Sequence, residues 1–192
     1  MMDTVSGSQV QDRLSEIRAT LHPKVVRAQA IGALDDLFRG GSAPEPQPEG
    51  FLRGELIMMS VARPSDAAVR GIAGLYMPWL GKSFDPSTQS GVNILKPSAK
   101  GSMKVLWRNY TPEREMADRL EAFPFRTRIE AGAVDPGLQV LKIDYDFDAN
   151  PSFIIRRILD ELVQIDEHLY LGKILFRTKR AWHPIGFFSL QS

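Results

Sequence analysis

The residues of this chain that could bind a ligand are aromatic side chains and a few polar residues, and they lie in separate segments of the sequence. Seven of them could form the wall of a small-molecule pocket, in which aromatic rings enclose an apolar ligand and a few polar groups orient it. These candidate ligand-binding residues are Tyr76, Trp79, Lys82, Trp107, Tyr145, Trp182 and His183. The sequence carries no serine elbow, no phosphate-binding glycine loop and no GxGxxG pattern, so no catalytic residue is assigned.

Acidic residues and histidines do not have the spacing of a metal site. Asp144, Asp146 and Asp148 occupy alternate positions, but an EF-hand calcium loop requires glycine and glutamate near the places where Asn150 and Ile155 stand. The histidines are too scattered for a pattern such as HExxH. We therefore predict a solvated strand end at the three aspartates and no metal ion.

Composition limits the classes of function. The chain has 192 residues, a formal net charge of +1 and no cysteine. The low charge gives no argument for a nucleic-acid partner, and the absence of cysteine excludes disulfides and thiolate chemistry and fits a reducing cytoplasm. The polar first residues lack a signal-peptide core, and no apolar run approaches the roughly 20 residues that cross a bilayer. We expect a cytoplasmic protein with no membrane span.

Alternating apolar and polar residues, separated by turn-rich segments, predict eight β-strands. These strands cover residues 51–61, 81–85, 91–96, 102–109, 123–131, 138–147, 168–177 and 182–190. Eight antiparallel strands in succession favour closure into a barrel, since closure removes the exposed sheet edges. The interior of such a barrel can hold one small ligand. A strongly bent open sheet wrapped around a helix is the alternative.

Helical spacing of apolar residues is found mainly before the first strand. Two helices are expected between residues 8 and 38, and the proline-rich stretch 43–50 should be an extended connector. We therefore divide the chain into an N-terminal helical extension, residues 1–42, and a β-barrel domain, residues 43–192. The helices could dock on a second subunit and form a homodimer. A further helix is expected from Ser65, which can cap it, to about residue 80.

A last helix is predicted at residues 151–164, packed on the closing hairpin of the barrel. Asn150 can cap it and Pro151 suits its first turn. Its apolar stripe would consist of Ile154, Ile155, Ile158, Leu159 and Leu162, and its solvated face of Arg156, Arg157, Asp160 and Glu161. The predicted fold is thus mainly β (α+β): an antiparallel eight-stranded barrel with N-terminal helices and one helix near the C-terminus.

The segment Trp79-Leu80-Gly81-Lys82-Ser83-Phe84, followed by a hairpin with Gly91-Val92-Asn93, resembles a family of known proteins. These are little-characterised bacterial, often actinobacterial, lipocalin-like (calycin) barrel proteins related to the GXWXXXG-domain group. The resemblance covers about residues 32–192, although residues 50–54, GFLRG, lack the tryptophan of the GXWXXXG pattern. It implies a calycin barrel with a lumen and an apolar ligand. More loosely, the topology resembles nitrobindin-like barrels, which implies haem bound through His183 as an alternative.

The leading functional hypothesis is therefore binding of a small hydrophobic or amphipathic ligand in the barrel lumen, without a cofactor. The alternative is an enzyme of the isomerase, cyclase or decarboxylase type acting on a small hydrophobic acid. Such an enzyme needs a buried titratable pair, for example Tyr145 with Lys142 or Asp144. Because residues at odd spacing face opposite sides of a strand, either pair would require a bulge.

Overall fold

The computed structural model describes residues 24–59, 78–152 and 154–192, together with Asp12 and Glu16. Tyr76, most of the helix predicted from Ser65 and most of the first N-terminal helix lie outside the described residues. Trp79 and residue 80, predicted as the end of a helix, belong to a strand instead. None of the described helices is both long and apolar enough to cross a membrane.

The described residues form two α-helices, nine β-strands and one short 3₁₀ turn. The helices are α1 (Lys24–Arg39) and α2 (Ala99–Leu106), and the 3₁₀ turn is Ile155–Arg157. The strands are β1 (Gly50–Met59), β2 (Trp79–Asp85), β3 (Ser90–Leu95), β4 (Arg114–Glu115), β5 (Leu120–Ala131), β6 (Gln139–Asp144), β7 (Ile158–Asp166), β8 (Leu169–Arg177) and β9 (Trp182–Gln191).

Eight of the strands close into an antiparallel barrel, which confirms the predicted fold class. Their order around the barrel is β3-β2-β1-β9-β8-β7-β6-β5, and β3 pairs in turn with β5. Ser90 lies opposite Arg126 and Leu95 lies opposite Leu120 in this closing pair. The alternative of an open bent sheet is therefore wrong. The two-residue β4 is an extra strand that pairs only with β5.

The strand predicted at 102–109 is wrong, because most of this segment belongs to α2. Ala99, Met103 and Trp107 are buried at intervals of four residues, whereas Val105 is 84% exposed. A strand that buried Met103 and Trp107 would also have buried Val105, since all three would share a face. The four-residue spacing matches one face of a helix, and that face packs on the inner core of the barrel.

The helix predicted at 151–164 is also wrong, because the chain forms the 3₁₀ turn and then β7. The pattern misled because both faces of this strand are buried. Leu162 packs in the inner core and Val163 packs in a second core outside the barrel wall. Asp160 and Glu161, predicted on a solvated face, have no exposed surface at all. A strand that is buried on both faces can therefore show the same pattern of apolar residues as an amphipathic helix.

The helix that covers the outside of the barrel is α1. Its Ala30, Leu34 and Phe38 form the second core with residues of β7, β8 and β9, including Val163 and Leu171. Leu34 and Phe38 are fully buried. The apolar face of α1 is thus covered by the barrel of its own chain, while the predicted homodimer stays a prediction.

Candidate functional site

Four polar side chains from different parts of the barrel meet in its lumen. Lys82 comes from β2, Asn93 from β3, Tyr145 from the residue after β6, and Asp160 from β7. Lys82 and Asp160 have no exposed surface, and Asn93 and Tyr145 are at least 93% buried, with 7% and 4% exposed. We call these four residues the lumen cluster.

Lys82 is the centre of the lumen cluster. Its Nζ lies 2.9 Å from Asp160 Oδ2 and donates a hydrogen bond to Asn93 Oδ1 at 2.9 Å. It also donates to the hydroxyl of Tyr145, and that hydroxyl donates to Asp160 Oδ2 at 2.9 Å. The tyrosine hydroxyl is therefore held between an ammonium group and a carboxylate.

Asn93 connects the lumen cluster to the barrel wall. Its Nδ2 donates to the backbone oxygen of Phe123 at 3.0 Å, and its Oδ1 also accepts from Trp79 Nε1 at 3.2 Å. These bonds fix the orientation of the amide. A buried polar group held in this way keeps one position and helps to specify a unique core.

Burial is unfavourable for both charged groups of the lumen cluster, the Lys82 ammonium and the Asp160 carboxylate. Burial lowers the pKa of the Lys82 ammonium, and the charge of Asp160 opposes that shift. The Lys82 Nζ also lies 5.2–5.4 Å from the ring centroids of four aromatic residues, which favours its charged form. Asp160 Oδ1 is buried and accepts no hydrogen bond. An unpartnered carboxylate oxygen is costly in a protein interior.

A bulge in β2 brings Trp79 and Lys82 to the same side of the barrel wall. Residues three apart in a regular strand face opposite sides. The register of β2 against β3 shifts between Trp79 and Gly81, and both side chains therefore point inward. Gly81 has φ of +150°. It lies so close to the neighbouring strand that an added Cβ would be 2.0 Å from the backbone oxygen of Leu52. Glycine is required at this position for the bulge to form.

A small cavity lies beside the lumen cluster, at the end of the barrel where β2, β5 and β7 begin. We call this end the mouth. The cavity has a volume of about 40 Å³ and, of the described residues, is lined by Trp79, Asn93, Leu95, Phe123, Tyr145, Ile155 and Ile158. Five of these side chains are largely apolar, so the cavity suits a small apolar group. A cavity of this volume has room for a few water molecules or for one small apolar group.

A larger hollow opens at the mouth, and we call it the mouth depression. Its volume is about 340 Å³, and residues 107–110 and 148–152 line it. Phe123 lies between it and the lumen cavity. The Phe123 ring lines the cavity, and it packs edge-on against Trp107 at 5.3 Å and stacks on Tyr110 at 5.0 Å between ring centroids.

The backbone of Phe123 is strained. Its φ is +54°, in the left-handed region that side chains other than glycine seldom adopt. The Tyr110 hydroxyl accepts the Phe123 N–H at 2.6 Å and so stabilises this conformation. Burial raises the pKa of Tyr110 to about 12, so this hydroxyl stays protonated at neutral pH. Strained residues are found more often at ligand-binding and switching sites than elsewhere.

The structure brings together only part of the predicted site. Trp79, Lys82 and Tyr145 meet at the lumen, and Trp107 reaches it indirectly through Phe123. Trp182 and His183 lie on the rim of the mouth, where Trp182 faces the Arg177 guanidinium at 5.6 Å and the exposed His183 contacts Thr178 Oγ1 at 3.1 Å. Neither lines the cavity, so this placement does not support haem in the lumen through His183.

The residue pairs given as examples for the enzyme alternative are not the ones that meet in the lumen. Lys142 and Asp144 lie on the outer face of β6 and bind Glu130 and Arg128, at 3.2 and 2.8 Å. Tyr145 faces inward and is paired with Lys82 and Asp160 from other strands, so no bulge is needed.

Sequence reasoning missed Asn93, Phe123 and Asp160 as site residues. Asn93 stands in the hairpin that carries the resemblance, which could have indicated it. Nothing in the spacing of the sequence indicates the other two.

A second group of buried charges lies outside the barrel wall, and we call it the outer charge cluster. Lys173 Nζ lies 2.7 Å from Asp35 of α1 and 2.7 Å from Asp135 of the turn between β5 and β6. Glu161 Oε1 accepts the Ala133 N–H at 2.6 Å, while its Oε2 is buried without a hydrogen-bond partner. Burial raises the pKa of Glu161 above its ordinary value. These contacts attach α1 and the turn to the barrel, and their residues line neither of the two spaces described above.

Comparison with known proteins supports the fold and leaves the function open. No family model and no curated protein matches the chain. A solved structure described as "Crystal structure of protein from Thermomonospora curvata" is similar, with a TM-score of 0.52 and 18% sequence identity. The match covers 94% of this chain and 96% of that protein. At this identity the similarity shows a shared barrel fold alone.

Proposed function

We propose that this chain binds a small apolar or amphipathic molecule at the mouth of the barrel, with an apolar group of that molecule in the lumen cavity. The observation that carries the proposal is the cavity itself, whose walls are mostly apolar and end at Asn93 and Tyr145. Ligand pockets typically combine apolar walls with a few fixed polar groups. The calycin resemblance supports the same function.

The polar end of the cavity is preorganised. Lys82 and Asp160 hold Asn93 and Tyr145 through hydrogen bonds within the lumen cluster, so these side chains do not reorganise when a ligand enters. Preorganisation lowers the entropic cost of binding. Because these polar atoms already bond to one another, the cavity favours an apolar group, and the polar part of a ligand would lie outside it.

The proposal is tested by filling the cavity. Ile158→Phe adds volume at the cavity wall, and Ile129→Phe makes the same change at a position that is 43% exposed. Protein purified without detergent is analysed by native mass spectrometry and by organic extraction. We expect a bound small molecule in the wild type and in Ile129→Phe, and its loss in Ile158→Phe. Equal occupancy in the two variants would place the ligand elsewhere.

Catalysis at Tyr145 is the second candidate, and the contacts of its hydroxyl with Lys82 and Asp160 favour it. Tyr145 lines the cavity, its hydroxyl accepts from Lys82, and it donates to an Asp160 carboxylate that has an unpartnered oxygen. A tyrosine hydroxyl held between a lysine and a carboxylate is positioned to exchange a proton with a bound substrate.

Tyr145→Phe removes this hydroxyl and keeps the ring. If Tyr145 is catalytic, the wild type should convert the extracted molecule to a product that mass spectrometry detects, and the variant should bind the molecule without converting it. Absence of any product with the wild type would reject catalysis of that molecule and leave the binding function in place.

A further inference from the structure

We infer that the lumen cavity and the mouth depression are two parts of one binding site, divided by Phe123, and that the depression takes an uncharged head group that donates hydrogen bonds. This inference rests on the proposed function and specifies the chemical class of the ligand. The ligand would be an amphipathic molecule whose apolar end enters the lumen and whose head group is an amide or a hydroxyl.

Phe123 connects the two spaces physically. Its ring is part of the cavity wall and packs on Trp107 and Tyr110, which both line the depression. Its backbone N–H bonds to Tyr110 at the depression, and its backbone oxygen bonds to Asn93 at the cavity. A movement of this one residue would therefore change the shape of both spaces.

The conformations around this partition are strained on both sides of the mouth. Phe123 has φ of +54°, and Ile154, which precedes the cavity residue Ile155, has φ of +72°. A positive φ is especially unfavourable for a β-branched residue such as isoleucine. Strain of this kind is concentrated at ligand clamps and switch regions, where a bound molecule can relieve it.

The volumes support a joined site. The lumen cavity of about 40 Å³ is far below the roughly 300–1,000 Å³ of small-molecule pockets, and the depression of about 340 Å³ lies at the lower end of that range. A ligand that used the cavity alone would be no larger than a few water molecules. A ligand that crosses the partition obtains both the apolar cavity and a space of ordinary pocket size.

The chemistry of the depression indicates the head group. Asn150 is 96% buried, with 4% exposed, and its Nδ2 donates to Pro124 O at 2.7 Å and Tyr145 O at 3.0 Å. Its Oδ1 has no hydrogen-bond partner, so it is an acceptor that lacks a donor. Arg108 and Asp148 bring opposite charges to the lining, and Asp148 already bonds to Arg156 Nη1 at 2.8 Å. The lining therefore favours an uncharged donor over an anion or a cation.

The test uses three probes with one chain length: hexanamide, hexanoate and hexylammonium. Each is titrated into the full ¹⁵N-labelled chain while the backbone and indole signals are followed by NMR, which detects millimolar affinities. The chain has three tryptophans, of which Trp79 lines the cavity, Trp107 lines the depression and Trp182 lies on the rim outside both. We expect hexanamide to bind at least fivefold more tightly than either charged probe. It should shift Trp79 and Trp107 along one common binding curve and leave Trp182 unchanged.

Variants separate the tail from the head group. Hexanamide should bind more tightly than acetamide in the wild type and in Ile129→Phe, and this gain should disappear in Ile158→Phe, where the lumen is filled. The preference for an amide over a carboxylate should survive in all three proteins. If Ile158→Phe fails to fold, the comparison of hexanamide with acetamide in the wild type still tests tail insertion.

Each other outcome has a distinct meaning. A shift of Trp107 without Trp79 would show two separate sites and overturn the inference, as would equal or tighter binding of hexanoate or hexylammonium. Equal or tighter binding of a charged probe would leave the proposed binding function standing, whereas an unshifted Trp79 would also count against an apolar group in the lumen cavity. If none of the probes shifts any signal at millimolar concentration, the proposed function fails together with this inference.

Discussion

Asp160 and Glu161 are consecutive residues of β7 and are both completely buried, one inside the barrel and the other beneath its outer covering. Asp160 pairs with Lys82 in the lumen cluster, and Glu161 belongs to the outer charge cluster beside Ala133. Each carboxylate has one oxygen without a hydrogen bond. A single strand therefore carries two buried charges with different partners, and their contributions can be measured separately.

Removing only one of the two charges of the lumen ion pair should destabilise the protein. We expect Lys82→Met to lower the free energy of unfolding by about 3–5 kcal/mol, since it leaves Asp160 buried without its counter-charge. The double variant Lys82→Met/Asp160→Leu should recover a large part of that loss, because no charge is then left unpaired. Urea denaturation measures both changes in the free energy of unfolding, provided that its dependence on urea concentration has the same slope in each protein.

Lys100→Met is the matched control for the lumen pair. Lys100 forms an exposed ion pair with Glu115 at 2.6 Å, so its replacement should cost at most about 1 kcal/mol. A double variant at Lys82 and Asp160 that is as unstable as the sum of its single variants would contradict the coupling.

Glu161 should make stability fall as pH rises. Burial raises its pKa in the folded state, so the folded protein binds the proton more strongly than the unfolded chain does. Unfolding then releases the proton, and stability decreases from the unfolded pKa, about 4.3, up to the raised folded pKa. Glu161→Gln should therefore be more stable than the wild type near pH 7, and this advantage should shrink as the pH falls through the raised folded pKa toward about 4.

Chemical denaturation across pH 3.5–8 measures this difference. Glu167→Gln is the control, since the Glu167 side chain is 85% exposed, and its stability should follow that of the wild type at every pH. A Glu161→Gln advantage that is constant with pH would show that the effect is packing rather than ionisation.

Two substitutions on opposite faces of β7 test its strand conformation. Ile158→Ala should cost about 2–5 kcal/mol, and Val163→Ala about 2 kcal/mol, because both side chains are buried in separate cores. In the helix predicted from the sequence, Val163 lies outside the apolar stripe and would cost little. Arg156→Ala, which removes partly exposed ion pairs to Asp146 and Asp148, should cost at most about 1 kcal/mol. A negligible effect at Val163 would count against the strand.

Lys173 should hold α1 on the barrel. It is 1% exposed and binds Asp35 of α1 directly, and its Nζ also lies 4.4 Å from the Phe38 ring centroid. Lys173→Met should speed amide hydrogen exchange in the second half of α1 by at least tenfold, while exchange in β3 and β5 changes less. The exposed Lys100→Met again provides the comparison. Uniform acceleration throughout the chain would indicate global destabilisation rather than release of the helix.

Much of the barrel could be predicted because alternation is a local signal. β1, β3, β8 and β9 each combine alternating or strongly apolar residues with a clear turn at one end, and their predicted limits lie close to the observed ones. Closure could also be expected, since eight consecutive antiparallel strands leave two edges that pair with each other.

The two incorrect secondary-structure predictions arise where the sequence does not show which faces of a segment are buried. In β7 the second buried face depends on α1, which lies more than a hundred residues away in the sequence, so no local pattern reveals it. In the region of α2, the mixed composition of residues 102–109 fits a strand until the exposure of Val105 is known. The count of eight barrel strands was nevertheless right, because one predicted strand became a helix and one predicted helix became a strand.

The candidate site was predictable where a residue type suits a ligand pocket. Aromatic walls with a few polar groups are typical of small-molecule sites, and this indicated Trp79, Lys82 and Tyr145. Asp160 was assigned to a solvated surface, because its partner Lys82 lies in a strand distant in sequence. The order of the strands around the barrel determines which acidic side chain meets which basic one. The spacing of residues along the chain does not predict this order.

The pairing of β1 with β9 has a consequence for synthesis of the protein. Arg53 pairs with Gln191 and Gly54 with Leu190, so the first strand of the barrel has no neighbour on one side until the last strand has left the ribosome. Until then the nascent chain presents unpaired edges and an apolar interior, and long-range pairing of this kind is slow. We expect the barrel to assemble only after translation of β9, and a chain truncated before Trp182 to aggregate or to remain bound to a chaperone.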